Sequence, residues 1–218
     1  HASALLYSGP MDAPTVLRTI GPIVLGYFIG GIPWGLVIAK VVGGPDPRTI
    51  GSGRTGGANV ARALGARWAV LAGALDVLKG VVAAAIPIAL GSGDVAVVLA
   101  ALAAIVGHSR SPYIHFGGGR GVSVGFGGLI AIAWPVALVA APVFLAVFAV
   151  THISSLASLT SSVVAGLGLI VLAFAWALPP AYVVYAIGGA GLIWLFHGDN
   201  LRRLASGEER RFGGGRRA

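Results

Sequence analysis

Long apolar runs alternate with short, polar, glycine-rich stretches along this chain of 218 residues. The runs are continuous, and most approach the ~20 residues a helix needs to cross the hydrocarbon core of a bilayer. A membrane β-barrel would instead show strands of ~10 residues with alternate positions apolar. Seven helices are predicted, at about 16–42, 66–90, 95–106 (extended by a turn at each end), 123–133, 135–150, 159–178 and 181–196. Trp134-Pro135 parts the fourth from the fifth and Pro179-Pro180 the sixth from the seventh, because proline lacks the backbone donor and clashes with the preceding turn. In the first run Gly26, Gly30, Gly31 and Gly35 would let a neighbouring helix approach closely. The pattern is that of an all-α, polytopic integral membrane protein. One kinked helix across 123–150 would instead make six crossings and move the last polar stretch to the opposite face.

Charge orients this picture. With the N-terminus outside, the loops at 43–65, 107–122 and 151–158 and the tail from 197 all lie inside. Of the 15 Lys and Arg, all but Arg18 and Lys79 fall in or beside those inside stretches. Lys and Arg are retained on the cytoplasmic side of membrane proteins, so the C-terminus is predicted to be cytoplasmic. The chain is 56% hydrophobic and 10% charged, too little charge to cover a water-soluble surface. Its net charge of +8 is therefore read as membrane topology rather than nucleic-acid binding. Cysteine is absent, which excludes disulfides and thiolate metal sites. The few acidic residues do not cluster with histidines, so no metal is expected. Residues 1–15 read as a tag remnant and N-terminal tail, with Met11 the expected start. Residues 16–209 read as one membrane domain, and 210–218 as a basic disordered tail.

Three interrupting stretches carry the candidate chemistry: 51–62 (GSGRTGGANVAR), 107–122 (GHSRSPYIHFGGGRGV) and 197–209 (HGDNLRRLASGEE). Crossing parity places all three on one face. In the first, glycines let backbone N–H groups turn toward a ligand and a following helix N-terminus adds positive potential. Ser52 and Asn59 offer neutral hydrogen bonds and Arg62 a clamp, a set suited to phosphate. No Walker A lysine is present. In the second, Gly118, Gly119 and Arg120 form a further anion-friendly run, with His108 at the end of an apolar helix. In the third, His197, Asn200 and Arg203 share a face if the seventh helix continues. For each stretch the plain alternative is a solvated turn with arginines at the membrane edge. Asp76 and Lys79 stand three apart within the second helix, where charge is costly, and are read as a structural pair ahead of direct chemistry. The loop at 151–158 adds hydroxyls, Ser155 among them. No Gly-x-Ser-x-Gly elbow is present, so these serines are read as ligands or helix caps.

Together the motifs resemble the bacterial acyl-phosphate:glycerol-3-phosphate acyltransferase family, the PlsY type. The family's GSGNxGATNxxR, GHxxPxxxxFxGGKG and HxxNxxRLxxGxE are similar to the stretches above, in that order. GIPWG near residue 31 and LDVLKG at 75–80 are similar to further family patterns. The chain departs from the pattern at Arg54 (Asn), Gly57-Ala58 (Ala-Thr), a Pro112 shifted by one place, and Arg120 (Lys). The resemblance implies seven transmembrane helices, a bacterial plasma-membrane location with a cytoplasmic active site, and no cofactor. The implied reaction transfers a fatty acyl group from acyl phosphate to the 1-hydroxyl of glycerol 3-phosphate, giving lysophosphatidic acid and phosphate. Substrates and membrane lipids are the only expected partners; no obligate protein partner and no nucleic acid is predicted. Carried onto matching positions, Ser52, Arg62, Arg120, Ser155, His197 and Asn200 would bind the two phosphates. Catalytic candidates are His197, Asn200 and Ser155. Phosphate-binding candidates are Ser52, Gly53, Asn59, Arg62, Gly118, Gly119, Arg120 and Arg203, with His108 and Lys79 further possibilities. The base would be His197 or a substrate phosphate oxygen. Rival readings are a channel or transporter for small phosphorylated anions, or a related acyltransferase with another acceptor.

Overall fold

The structure, a computed structural model, describes residues 13–176 and 178–212. Most of the expected N-terminal tail, residues 1–12, and the tail end at 213–218 lie outside the described residues. Nine α-helices and no strand occur among the described residues: α1 (Ala13–Gly31), α2 (Trp34–Val41), α3 (Gly57–Leu64), α4 (Ala66–Ala89), α5 (Asp94–Ser109), α6 (Val122–Thr151), α7 (Ser154–Ala175), α8 (Ala181–Phe196) and α9 (Gly198–Ala205). α4, α5, α6 and α7 are long and apolar enough to cross a membrane; two bent pairs, α1 with α2 and α8 with α9, bring the number to six. Large apolar side chains such as Leu138, Leu145, Val150, Phe174 and Leu195 face outward, as expected where lipid is the solvent.

The first apolar run, expected to be one helix over 16–42, is broken after Gly31 and turns by 41°. Pro33 removes a backbone donor there. The carbonyl of Ile32, left over by the break, accepts a 2.7 Å hydrogen bond from Lys79 Nζ of α4. The split expected at Trp134-Pro135 is present as a reversal inside α6. Ala133 has non-helical φ −154° and ψ 70°. A straight helix would hold Ser123 and Phe148 about 37 Å apart, yet both line one cavity. Val122 and Leu145 likewise share a second cavity. α6 therefore doubles back as two legs, 122–132 and 134–151.

Small residues set the helix spacing. Gly26 and Gly30 of α1 lie against the backbone of Ala100 and Ala104 of α5, where a Cβ would collide with carbonyl groups. Gly80 of α4 meets the Val124 carbonyl of α6 in the same way. Such contacts bring helix axes close where apolar burial supplies no driving force between helices in lipid. The buried core is correspondingly rich in alanine: Ala83, Ala84, Ala101, Ala104, Ala133, Ala137 and Ala140 surround Ile105, Val124 and Leu169. This packing gathers one end of α4, α5, α7, α8 and both ends of α6 around a polar chamber.

Candidate functional site

The chamber is a cavity of about 490 Å³. The three polar stretches meet there: Ser52, Arg54 and residues 56–59 from the first, His108 and residues 119–122 from the second, and His197 from the third. Ser154, Ser155 and Ser158 of α7 complete the wall. The composite site expected from crossing parity is thus a single enclosure.

Its electrostatic character comes first from the backbone. The N-termini of α3 (Gly57, Ala58), α6 (Val122, Ser123) and α7 (Ser154, Ser155) all open onto the chamber. None carries a side-chain capping hydrogen bond. Each helix start leaves N–H groups without intrahelical partners and concentrates positive partial charge. Three such ends converging on one space favour an anion or a developing negative charge. Sequence reasoning placed one helix N-terminus beside the first loop but missed the other two, because only the reversal of α6 brings residues 122–123 and 154–155 together.

The first loop is organised by Asn59, which is fully buried. Its Nδ2 donates toward the carbonyls of Ile50 (2.8 Å) and Arg54 (2.9 Å), with Ser52 Oγ at 3.2 Å. Its Oδ1 accepts from Arg62 Nη1 at 3.0 Å. Asn59, a phosphate-binding candidate, lines the chamber and is also the hub that shapes the loop. Arg62 lies beyond the chamber wall, over the ring of Phe212 at 4.7 Å. Ser52 faces the chamber, whereas Gly53 supplies a left-handed turn with φ +69°.

The second loop lies flat on the end of α5. Gly119 N–H donates to the His108 carbonyl (3.0 Å), and Thr55 N–H reaches the Gly118 carbonyl (3.5 Å), joining the first two loops. A Cβ on Gly119 would collide with His108 Nε2, and one on Gly118 with the His108 carbonyl. These glycines are needed for close packing as well as for access to a ligand. His108 in turn contacts Lys79, with Nζ···Nδ1 at 3.0 Å. Lys79 Nζ also lies 2.8 Å from Asp76 Oδ1. Lys79 donates, so His108 Nδ1 accepts and its proton sits on Nε2. Lys79 thus supports α1, Asp76 and His108 at once without facing the chamber, consistent with the structural pair expected from sequence.

Arg120 projects from the second loop into the chamber. Its Nη2 pairs with Asp199 Oδ2 at 2.9 Å, while its Nε is buried without a partner. Burial is the largest influence on its pKa and pulls it below the usual arginine value; Asp199 opposes this, and Arg54 and Arg203 add to it. The guanidinium stays charged, and an arriving anion would offset its desolvation.

The third stretch does not continue α8. The chain turns by 66° at His197 and α9 begins at Gly198. Nδ1 of His197 lies 2.7 Å from the Ile193 carbonyl, which can only accept, so the proton sits on Nδ1. In the neutral ring Nε2 then carries a lone pair on the chamber side. His197 is therefore the residue before α9, and its carbonyl accepts from Leu201 N–H at 2.9 Å. Asn200 Nδ2 donates to Glu209 Oε1 (2.9 Å) and Arg203 Nε to Glu209 Oε2 (2.9 Å), so both side chains are held by the segment after α9. Ser155 Oγ is buried on the chamber wall without a partner. Sequence reasoning assigned no role to Asp199, Glu209 or Phe212. Glu209 closes the third motif and Asp199 stands two residues after His197, the signals available. Among the described residues no three of His, Asp and Glu gather as a metal site.

Beyond the polar chamber lies an apolar cavity of about 270 Å³, walled by Phe126, Leu129, Ala141, Leu145, Leu169 and Ala190 among others. Val122, Ser123, Phe144 and Ser158 belong to both walls. The geometry therefore offers an anion-attracting chamber and an apolar cavity that share a wall.

The sequence profile of the family described as "Glycerol-3-phosphate acyltransferase" matches residues 20–207. A glycerol-3-phosphate acyltransferase of Synechococcus sp. (strain JA-3-3Ab) is 42% identical over 202 residues, covering 92% of this chain and 96% of that protein. One from Roseiflexus sp. (strain RS-1) is 39% identical over 199 residues, covering 91% and 97%. Among solved structures, the glycerol 3-phosphate form of PlsY, an integral membrane glycerol 3-phosphate acyltransferase, superposes with a TM-score of 0.82 at 36% identity, covering 89% of this chain and 96% of that one. Its lysophosphatidic acid form gives 0.80 at 34% identity, covering 89% and 95%.

Proposed function

We propose a specific reaction for this chain, which belongs to the glycerol-3-phosphate acyltransferase family of multi-pass membrane proteins: it moves a fatty acyl group from acyl phosphate to the 1-hydroxyl of glycerol 3-phosphate. The 1-hydroxyl oxygen bonds to the acyl carbon, the bond from that carbon to the phosphate oxygen breaks, and inorganic phosphate leaves. Lysophosphatidic acid is the other product. The observation that carries this reading is the convergence of three uncapped helix N-termini with Arg54 and Arg120 beside an apolar cavity. Both substrates bring a phosphate, and the donor brings a hydrocarbon tail. That relatives were solved in glycerol 3-phosphate and lysophosphatidic acid forms supports the acceptor and the product.

Acyl phosphate is already activated, so alignment, charge stabilisation and removal of one proton suffice. Arg120 and the α3 N-terminus with Ser52 hold one phosphate. Ser155 and the α6 and α7 N-termini lie toward the other phosphate and the oxyanion that develops at the acyl carbon. His197 Nε2 accepts the hydroxyl proton, with Ile193 fixing the tautomer that leaves Nε2 free. The chain crosses the membrane seven times in this reading, with α6 contributing two crossings. Its N-terminus is outside and its chamber faces the cytoplasm, as the distribution of Lys and Arg supports.

Purified protein mixed with palmitoyl phosphate and glycerol 3-phosphate should yield lysophosphatidate and free phosphate in equal amounts; no product would overturn the reading. His197→Ala should lower kcat by about a hundredfold or more, the usual range for a general base. Near-normal turnover at saturating substrate would assign the proton to a substrate phosphate oxygen instead. Arg120→Ala should abolish use of acyl phosphate.

A further inference from the structure

A third cavity, of about 390 Å³, adjoins the polar chamber on the far side of Arg54. Arg54, Arg110, Asp199 and Arg202 supply its charged wall, with Leu195, Phe196 and Gly198 behind them. Arg54 lines both spaces, and Asp199 pairs with Arg120 across the partition. Among the described residues the guanidinium groups of Arg54, Arg110 and Arg202 make no ion pair. Asp199, the one acid on the wall, is already shared between Arg120 (2.9 Å) and Arg203 (3.4 Å), and its Oδ1 is buried without a hydrogen-bond partner. Three cations therefore face one open groove, Arg110 and Arg202 from exposed positions, with no counter-charge of their own. Arg110 is steadied by its approach to the Phe196 ring, 6.0 Å away. A volume near 390 Å³ lies at the small end of ligand sites and suits a molecule no larger than a glycerol phosphate.

We infer that this cavity is a second phosphate subsite, an antechamber in which a soluble phosphate group is held by Arg54, Arg110 and Arg202 before or after it occupies the polar chamber. Asp199 is its internal partition. The carboxylate pairs with Arg120 at 2.9 Å, a place on that guanidinium for which a phosphate competes. Arg54 is the shared post between the two spaces, at a position where the family pattern quoted above has asparagine. A planar, permanently charged fork reaches phosphate from either side, which an asparagine amide cannot do with charge. Clefts lined with one sign of charge raise the local concentration of the opposite ion and the rate at which it arrives. The expected signature is thus on phosphate binding and on KM, with kcat unchanged.

This inference rests on the reading that the polar chamber takes a phosphorylated substrate, so its test avoids turnover. Binding of inorganic phosphate is counted by equilibrium dialysis on the full chain in nanodiscs of neutral phosphatidylcholine. Arg110→Gln/Arg202→Gln alters residues that line only the antechamber and should bind one phosphate fewer than the parent. Arg67→Gln/Arg211→Gln removes the same charge from exposed positions outside both cavities and should bind as many as the parent. Equal loss in both pairs, or loss in neither, overturns the subsite. Should the first pair fail to fold by thermal unfolding, Arg202→Gln alone, at an exposed position on α9, repeats the comparison. A second arm adds anionic lipid to the nanodisc. Unchanged phosphate counts are expected, whereas loss of one phosphate would assign the arginines to lipid headgroups and overturn the soluble subsite. In activity assays the first pair should raise the KM for glycerol 3-phosphate by about tenfold with kcat retained. Protein that binds the extra phosphate yet transfers no acyl group would sink the reaction and leave the subsite standing. Active protein lacking that phosphate would sink the subsite alone.

Discussion

Glu209→Ala should damage turnover although Glu209 lies outside the chamber wall. Its carboxylate is 7% exposed and accepts from Asn200 Nδ2 and Arg203 Nε, each at 2.9 Å. Truncation would leave Asn200 without either hydrogen bond, since its Oδ1 is already buried and unpartnered. Arg203 would keep only the 3.4 Å contact with Asp199. Hydrogen bonds to a charged group contribute about 1.5–3 kcal/mol each. Arg203 is 23% exposed, so water replaces part of its loss and about 2–4 kcal/mol remains for the pair. α9 is a single short helix whose start follows directly on His197, so loosening it moves His197 Nε2 relative to the bound hydroxyl. If most of that energy serves positioning, kcat/KM falls by about 30- to 1000-fold, at roughly 1.4 kcal/mol per tenfold. Glu209→Gln keeps an acceptor and loses the charge, so it should fall between Ala and the parent. The assay is phosphate release from palmitoyl phosphate at varied glycerol 3-phosphate, alongside thermal unfolding in the same detergent. Glu209→Ala within twofold of the parent, while folded, would refute the claim that this carboxylate holds α9 in its working position.

Lys79→Met should lower the unfolding temperature sharply. It removes the cation beside buried Asp76 and one of two donors to the Ile32 carbonyl, a loss of the order of 3–5 kcal/mol for breaking a buried pair. Asp76→Leu/Lys79→Met should be less damaging than either single change, which a double-mutant cycle would measure. Gly119→Ala should cost about 1–3 kcal/mol in stability and most activity, because its Cβ lands on the His108 ring, which Lys79 holds at Nδ1. Unchanged activity would show that the loop can shift away. Ala190→Phe should fill the apolar cavity and reduce use of palmitoyl phosphate far more than of octanoyl phosphate. Equal loss on both chains would place the acyl tail elsewhere.

Much of the architecture follows from composition and periodicity alone. Continuous apolar runs with few charges allow only helices in a bilayer, since every backbone polar group there must be satisfied within its own segment. Pro33, Pro135 and Pro179-Pro180 mark the breaks for the same local reason, although 16–42 reads as one helix until the 41° turn after Gly31 is seen. The three polar stretches declare an anion site through residue type, because glycine, serine, asparagine and arginine at short spacing are what phosphate requires. Which of those residues face the ligand is a different matter. Asn59 and Arg62 look like ligands in sequence, and the fold adds that they hydrogen-bond to each other and shape the loop. Asn200 and Arg203 follow His197 not on a continuation of α8 but on a separate helix that starts after a 66° turn, where Glu209 holds both. Asp199 and Glu209 acquire their roles from partners 79 and 9 residues away. The gathering of three helix N-termini depends on α6 folding back at Ala133. Local chemistry is written residue by residue and can be read in order along the chain. Convergence depends on helix directions set by close packing at Gly26, Gly30 and Gly80, and only the folded bundle decides which helix ends open onto the same chamber.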